Sequence, residues 1–166
     1  MNEKQKARLI LKTLNKIYPK TPIPLKHNNK FTLLISVLLS AQCTDLNVNN
    51  VTKKIYPKYY TPKHFVKLGR KNIERLIKSI GIFRIKAKSI YLTSKKILKD
   101  HNGKVPKSFE ALEELPGVGH KTASVVMSQG FGFPAFAVDT HIHRLAQRWG
   151  LTRGKNVIQT EKDLKR

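Results

Sequence analysis

Apolar residues recur at helical spacing along almost the whole chain, and this pattern constrains the fold more than any other feature. Residues 84–101 show it most clearly, because one apolar stripe runs along them, lysines cover much of the rest, and Asn102-Gly103 follows as a stop signal. Strand-like alternation is confined to short ambiguous runs such as 133–138. The same helical spacing predicts further helices at 3–18, 31–41, 44–56, 72–80, 108–115, 120–130, 139–149 and from 157 onward. The sequence therefore predicts an all-α fold of nine or ten helices on short connections.

A glycine turn, Gly117-Val118-Gly119, separates two of these helical patterns and follows Pro116. Glycine allows a positive φ and a close approach of another backbone. Backbone amides at such a turn and at the start of the next helix point outward, with the positive end of the helix dipole behind them. The turn is therefore a candidate site for a phosphodiester, although a plain connection between two helices is the ordinary interpretation of glycines alone.

Lys121 falls in the first turn of the helix that follows the glycines. The helix dipole disfavours an ammonium there, and His120 with the surrounding basic residues acts in the same direction. A neutral amine is the form that nucleophilic attack requires. An ordinary surface lysine is the alternative, and the position beside the glycine turn favours the nucleophile.

Asp139 stands where a helix N-cap is expected, in the segment VDTHIHR of residues 138–144. Capping alone would explain an aspartate there and contributes about 1 kcal/mol. A rigidly held carboxylate can also stabilise positive charge on a sugar ring or help to deprotonate a nucleophile. His141 and His143 point to different faces of a helix, so we interpret them as packing or phosphate contacts. We expect no catalytic metal, because no His, Cys and carboxylate cluster has ligand spacing.

The charge of the chain points to a polyanionic partner. It carries 33 Lys and Arg residues against 10 Asp and Glu, a formal net charge of +23. Such an excess favours nucleic acid or an acidic membrane surface, although base composition of the gene can account for part of it. The longest apolar run, 31–41, is far shorter than the roughly 20 residues that a membrane helix needs. Cys43 is the only cysteine and no secretory signal is visible, which predicts a soluble, cytoplasmic protein.

Several segments, in one order, resemble the helix-hairpin-helix DNA glycosylase superfamily and most closely its bacterial endonuclease III branch. They are LLSAQCTD (38–45), IGIFRIKAKSI (80–90), HNGKVP (101–106), LPGVGHKTA (115–123), FGFPAFAVDTHIHR (131–144) and GKNV (154–157). The resemblance implies a helix-hairpin-helix glycosylase fold. It implies a multi-helix domain at 22–132, with the hairpin at 108–130, and a second, incomplete helical lobe from 1–21 and 133–166.

The resemblance also implies a function. It implies a base-excision-repair glycosylase with AP lyase activity, a monomer associated with the bacterial nucleoid, which removes oxidised pyrimidines from double-stranded DNA and cleaves 3′ to the abasic site. Lys121 matches the family's nucleophile, which forms a Schiff base, and Asp139 matches the aspartate that assists base departure. Gln42 matches the residue that fills the gap left by the extruded nucleotide. The expected DNA contacts are Gln42, Lys86, Gly117, Val118, Gly119, His120, Thr122, His141 and Arg144.

The sequence departs from the family at its carboxyl end. The family typically ends in four closely spaced cysteines that hold a [4Fe–4S] cluster, whereas this chain has only Cys43. We therefore expect no cluster on this chain unless a longer C-terminus exists. The last helical pattern lacks a stop signal, which favours a truncated form over a natural short form. Loss of that segment is expected to expose Leu11, Leu14 and Ile17 and to give marginal stability or self-association.

The sequence leaves three competing interpretations open. A catalytically inactive helix-hairpin-helix DNA-binding fragment would share the charge and the hairpin. An 8-oxoguanine-type glycosylase/lyase would also keep a lysine at position 121. A lysine-rich helical domain that binds RNA or anionic lipid would explain the charge but not the ordered motifs.

Overall fold

The computed structural model describes residues 1–165, in which every regular element is a helix. The all-α prediction is confirmed, and no strand occurs within those residues. Ten α-helices are joined by short loops, and a π-helical segment at Val126–Gly130 continues α8. The α-helices are α1 Glu3–Ile17, α2 Lys30–Ser40, α3 Asp45–Ile55, α4 Pro62–Leu68, α5 Arg70–Leu76, α6 Phe83–Asp100, α7 Phe109–Glu113, α8 His120–Val125, α9 Thr140–Arg148 and α10 Val157–Leu164.

The chain divides into two compact units. Residues Ile23–Phe136 form the first, which we call the core unit. Residues Met1–Pro22 and the chain from Ala137 onward form the second, which we call the terminal unit. The core unit holds α2 to α8 and the π-helical segment, and the terminal unit holds α1, α9 and α10.

Helix α2 is the centre of the core unit. Its nine residues from Phe31 to Leu39 are all buried, as expected for a helix that is apolar on every side. The side chain of Asn29 caps its amino end by accepting from the backbone amide of Thr32, and the Thr32 hydroxyl contacts the Asn29 amide in return. The Phe31 and Phe65 rings meet edge to face at 5.5 Å between centroids. The capping box therefore fixes where the most buried helix begins.

Helix α6 is the longest helix of the core unit. Ala87, Ile90 and Ile97 are fully buried along the stripe that the sequence predicts. Thr93 and Ser94 are also buried, and the Ser94 hydroxyl bonds back to Ile90 O at 2.8 Å. One face of α6 therefore packs into the core, while its exposed face is rich in lysine.

The terminal unit is organised differently. α1 begins with an Asn2 capping box and contains no buried residue. Its apolar residues Leu11, Leu14 and Ile17 are exposed, which confirms the exposure expected from the sequence. α9 and α10 are joined by polar contacts, including His143 Nδ1 to Thr160 Oγ1 at 2.7 Å. This unit therefore depends more on capping and hydrogen bonds than on a large apolar core.

The helices are all too short or too polar for a lipid bilayer. Within the described residues, none is both long enough and apolar enough to cross a membrane.

Candidate active site

The glycine turn between α7 and α8 is held against α6. The Thr93 hydroxyl donates to Pro116 O at 2.8 Å. Gly117 has φ +81°, and a Cβ there would lie 2.8 Å from both Cβ and Oγ of Ser89. Because a side chain would meet both strain and a collision, this position requires glycine. Ser89 and Thr93, one helical turn apart on α6, therefore fix the position of the hairpin.

The amides of the turn are not equivalent. The Val118 amide donates to Leu115 O at 3.0 Å, and its side chain is buried in the core. The phosphate contact expected of Val118 stays a prediction, and in the structure this residue anchors the turn from inside. Gly119 has an extended backbone and is the N-cap of α8. A Cβ at this position would meet no other atom within 4 Å. The amides of Gly117, Gly119 and the first turn of α8 are the remaining candidates for an anion.

Lys121 is exposed at the second residue of α8. The buried residues Ala123 and Ser124 fix the inner face of this short helix. His120 is held from α7, because its Nδ1 lies 2.7 Å from Glu113 Oε1 and its ring stacks on Phe109 at 5.5 Å. The lysine therefore extends from a firmly seated helix end, beside the glycine turn, as the sequence predicts. Thr122 follows it and is half-buried.

Gln42 lies in a strained turn just after α2. Its backbone has φ +53°, and the residue is exposed. A non-glycine residue in the left-handed region is uncommon and costs on the order of 1–3 kcal/mol. Such strain persists only where the surrounding structure enforces it, and it is frequent at functional sites. The geometry therefore singles out Gln42 independently of the sequence motif around it.

Lys86 has a different place from the one expected of a phosphate contact. The residue is only 5% exposed, and its Nζ donates to Leu39 O at 2.8 Å and to Ala41 O at 2.5 Å. Burial lowers the pKa of this ammonium, while the nearby Cys43 acts in the opposite direction. The DNA phosphate contact expected of Lys86 stays a prediction, and in the structure its ammonium is occupied by the end of α2. Lys86 caps the carboxyl end of α2, because two of its three donors are taken up by that helix end.

Sequence reasoning missed Ile82. This residue has φ +51°, is 50% exposed and precedes α6. A Cβ on the preceding Gly81 would lie 3.6 Å from Gln42 O, so the two strained turns are adjacent. A β-branched residue is among the least suited to the left-handed region. Nothing in the local sequence other than Gly81 signals this conformation, so only the fold reveals it.

Asp139 caps α9 in the terminal unit. Its Oδ1 accepts from the His141 amide at 3.0 Å and from the Ile142 amide at 2.9 Å. His141 and Arg144 are exposed on this helix, and Arg144 Nη2 lies 3.4 Å from His141 Nδ1. His143 points elsewhere, to Thr160. The N-cap role is thus what the structure shows for Asp139, together with a firmly oriented carboxylate.

The residues of this chain do not fit an iron–sulfur cluster. A [4Fe–4S] cluster needs four thiolate ligands, and Cys43 is the only cysteine in the sequence. Among residues 1–165, no three His, Cys, Asp or Glu side chains are grouped so that they could hold a metal ion.

Comparison with known proteins supports the motifs. Residues 35–166 match the HhH-GPD superfamily of base excision DNA repair proteins. The chain is 44% identical to endonuclease III of Bacillus subtilis over 167 aligned positions, covering 100% of this chain and 76% of that protein. It is 46% identical to endonuclease III of Escherichia coli K12, covering 97% of this chain and 76% of the relative.

Solved structures agree with the sequence relatives. A trapped covalent intermediate of endonuclease III with DNA, and a non-covalent endonuclease III–DNA complex, each match with TM-score 0.90 and 43% identity, covering 99% of this chain and 77% of the matched chain. A thermostable thymine-DNA glycosylase shares the fold at TM-score 0.84 and 22% identity, covering 98% of this chain and 78% of that one. With its hairpin, its ordered motifs and relatives of this similarity, the chain belongs to the endonuclease III family of the HhH-GPD superfamily of base excision DNA repair proteins.

Proposed function

We propose that this chain is a DNA glycosylase with AP lyase activity that acts on oxidised pyrimidines in duplex DNA. The observation that carries the proposal is the position of Lys121, which is exposed at the start of α8 directly after the glycine turn. A phosphate bound by the turn amides would bring the sugar of a nucleotide towards this lysine. Chemistry at the sugar carbon that bears the base is the reaction that such a lysine suits.

Lys121 acts as the nucleophile in the proposed reaction. Its neutral Nζ bonds to C1′ while the bond from C1′ to the base breaks, and the base leaves with that electron pair and takes up a proton. The sugar ring then opens as its oxygen receives the C1′–O electron pair and a proton, which leaves a Schiff base. Loss of a proton from C2′ expels the 3′ phosphate, so the strand is cut 3′ to the abasic sugar. Water finally hydrolyses the Schiff base and frees Lys121.

Asp139 supports this reaction as a charged group. Its carboxylate stabilises the positive charge that develops on the sugar as the base departs. Two backbone amides hold Oδ1, so the carboxylate does not have to be reoriented when charge develops.

Gln42 and Ile82 act on the duplex. Extruding a nucleotide costs a few kcal/mol of stacking and pairing energy. The exposed Gln42 amide can hydrogen-bond with a base edge in the gap, and the exposed apolar Ile82 can separate stacked bases as an apolar wedge. Their adjacent strained turns support this assignment, because strain of this kind is retained where function requires a fixed geometry.

The remaining DNA contacts are to the backbone. The amides of Gly117 and Gly119, and the exposed side chains of His120, His141 and Arg144, are assigned to phosphates, with Thr122 beside them. Together with the net charge of +23 they predict sequence-independent affinity that falls with salt. Because its proposed substrate is chromosomal DNA, we expect the protein at the bacterial nucleoid. One chain carries all the proposed residues, so we propose that it acts as a monomer.

Borohydride trapping tests the proposed function. The chain is incubated with duplex DNA containing thymine glycol or an abasic site, and the Schiff base is reduced to a stable covalent complex. We expect a complex with the unmodified chain and none with Lys121→Gln. Lys99→Gln, which alters an exposed lysine at the far end of α6, serves as the matched control and should trap normally.

The alternatives predict other results. Salt-sensitive binding to damaged duplex without a covalent complex would identify a DNA-binding member without catalysis. Faster trapping on 8-oxoguanine than on thymine glycol would identify an 8-oxoguanine-type enzyme. Preference for RNA or anionic vesicles over duplex DNA would contradict the proposal altogether.

A further inference from the structure

Lys86 connects the two strained turns that carry Gln42 and Ile82. Its side chain reaches α2, where Nζ donates to Leu39 O and Ala41 O. Its backbone amide donates to Ile82 O at 3.1 Å, in the first turn of α6. One residue therefore bonds to both turns.

The carboxyl end of α2 explains why a buried lysine is favourable here. The last carbonyls of a helix lack partners within the helix and carry the negative end of its dipole. An ammonium that is 5% exposed would be costly without such acceptors, and here it receives two. A positive charge is thus matched to the position, whereas an apolar side chain would leave Leu39 O and Ala41 O without these bonds.

The turn at Gln42 depends on these carbonyls. Ala41 is the C-cap of α2, with φ −57° and ψ 121°, and Gln42 follows with φ +53°. The Cys43 amide then donates to Ser40 O at 3.0 Å and closes the turn. Holding Ala41 O fixes the peptide that joins Ala41 to Gln42, so the orientation of that peptide sets the direction of the Gln42 side chain.

We propose that Lys86 is a positioning residue that holds Gln42 in its strained conformation beside Ile82, so that both side chains meet the DNA duplex in a fixed arrangement. This inference rests on the proposed function for its effect on DNA, but not for its effect on the turn. It assigns to Lys86 a role that acts through Gln42, without contact with the reacting atoms.

A double-mutant cycle tests the coupling. Lys86→Met keeps the aliphatic stem and removes the donors, and its effect is measured in chains carrying either Gln42 or Gln42→Ala. With Gln42 present, we expect affinity for a duplex with an abasic-site analogue to fall about tenfold, the size expected for losing hydrogen bonds to a charged group. In the Gln42→Ala chain, we expect less than about a twofold change, because the residue that Lys86 positions is already gone.

Two variants on the same helix serve as controls. Lys86→Arg keeps the charge and the donors, so its affinity should stay within about threefold of the unmodified chain. In free energy, a threefold change is less than half of the tenfold loss expected for Lys86→Met. Lys88→Met removes a charge from the exposed side of α6, so any loss of affinity should be equal with Gln42 and with Gln42→Ala. An equal loss for Lys86→Met in both chains would overturn the proposal, since it would indicate a general loss of stability or charge.

Amide hydrogen exchange tests the turn without DNA. Lys86→Met should speed exchange at the Cys43 amide about tenfold or more, while Leu33, whose amide bonds to Asn29 O at 2.9 Å, should be unchanged. Uniformly faster exchange along α2, or no change at Cys43, would overturn the anchoring role. If the unmodified chain shows no preference for the abasic duplex but Cys43 still responds, then the proposed function has failed and the anchoring of the turn stands.

Discussion

The core unit and the terminal unit use the same local signals with different results. α2 and α1 both begin with a complete capping box, and both carry apolar residues at helical spacing. In α2 nine residues are buried, whereas α1 buries none. Capping and periodicity therefore specify where a helix forms in either unit, but only packing decides how much it contributes to stability.

The same contrast extends to the candidate functional residues of each unit. Lys121, Gln42 and Ile82 extend from the core unit, where α6 and buried apolar side chains hold their turns. Asp139 extends from the terminal unit, where its orientation comes from the amides of its own helix. The strained positive φ values of Gln42 and Ile82 lie in the core unit, where dense packing can enforce them, whereas the one positive φ among the described residues of the terminal unit is at Gly150.

Matched leucine truncations give the largest expected difference between the units. Leu34 is fully buried in α2, whereas Leu11 is 59% exposed on α1. Leu34→Ala should lower the free energy of unfolding by about 3–5 kcal/mol, because it removes buried methyl groups and leaves a cavity. Leu11→Ala should change it by no more than about 0.5 kcal/mol. Urea denaturation measures both, and similar losses would mean that α1 is buried in solution, for example by self-association.

Two glycines with positive φ give the next largest difference. Gly117 in the core unit has φ +81° and Gly150 in the terminal unit has φ +67°, so alanine is strained at both. At Gly150 the new Cβ would meet only Lys6 Nζ, at 2.9 Å, the mobile end of a side chain. At Gly117 it would meet Ser89 Cβ, which cannot move without α6.

We therefore expect about 1–2 kcal/mol of lost stability for Gly150→Ala, and about 1–3 kcal/mol more than that for Gly117→Ala. Thermal or urea unfolding of the two variants checks the difference. Equal losses would show that the hairpin adjusts freely and is not fixed by α6.

The sequence predicts helices well and side-chain environments less well. Periodicity and a stop signal place the helix at 84–101 within one residue of α6, which spans Phe83–Asp100. In contrast, 72–80 reads as one helix although α5 ends at Leu76, because apolar spacing continues through the turn that follows. α4 was missed, although Thr61 caps it and Pro62 stands at its start. These signals are local, and a helix of seven residues offers too short a pattern to be recognised by period.

The candidate site divides in the same way. The positions of the glycine turn, of Lys121 in the first turn of α8 and of Asp139 at a helix N-cap could be predicted from residue types and their spacing. The buried position of Lys86 could not, since no local pattern distinguishes it among 33 basic residues. The left-handed turn at Ile82 could not either, because the surrounding fold imposes it against the preference of isoleucine.

Alkaline pH should give a smaller difference in stability between changes made in the two units. Burial raises the pKa of the Tyr56 phenol, while its bond to Ser36 partly offsets this. Above about pH 10 the unfolded chain loses the Tyr56 proton and the folded chain keeps it, so stability falls as pH rises, by up to about 1.4 kcal/mol per pH unit. Tyr56→Phe should remove that part of the slope between pH 10 and 11, and Tyr18→Phe, at an exposed position directly after α1, should not. Unfolding measured across this range would contradict the prediction if both variants kept the full slope.

Substitutions of Asp139 give the smallest expected change in stability. They distinguish its role as a helix cap from its proposed role in base removal. Asp139→Ala removes the acceptor for the His141 and Ile142 amides and should lower the free energy of unfolding by about 1 kcal/mol. Asp139→Asn keeps an oxygen acceptor, and asparagine caps helices as well as aspartate does, so stability should change by less than about 0.5 kcal/mol. If the carboxylate acts in base removal as proposed, Asp139→Asn should nevertheless release thymine glycol far more slowly than the unmodified chain. Single-turnover excision assays and unfolding measured on the same preparations decide between the roles. Full excision activity in Asp139→Asn would leave Asp139 with capping alone, and the terminal unit would then contribute no charged group to the chemistry.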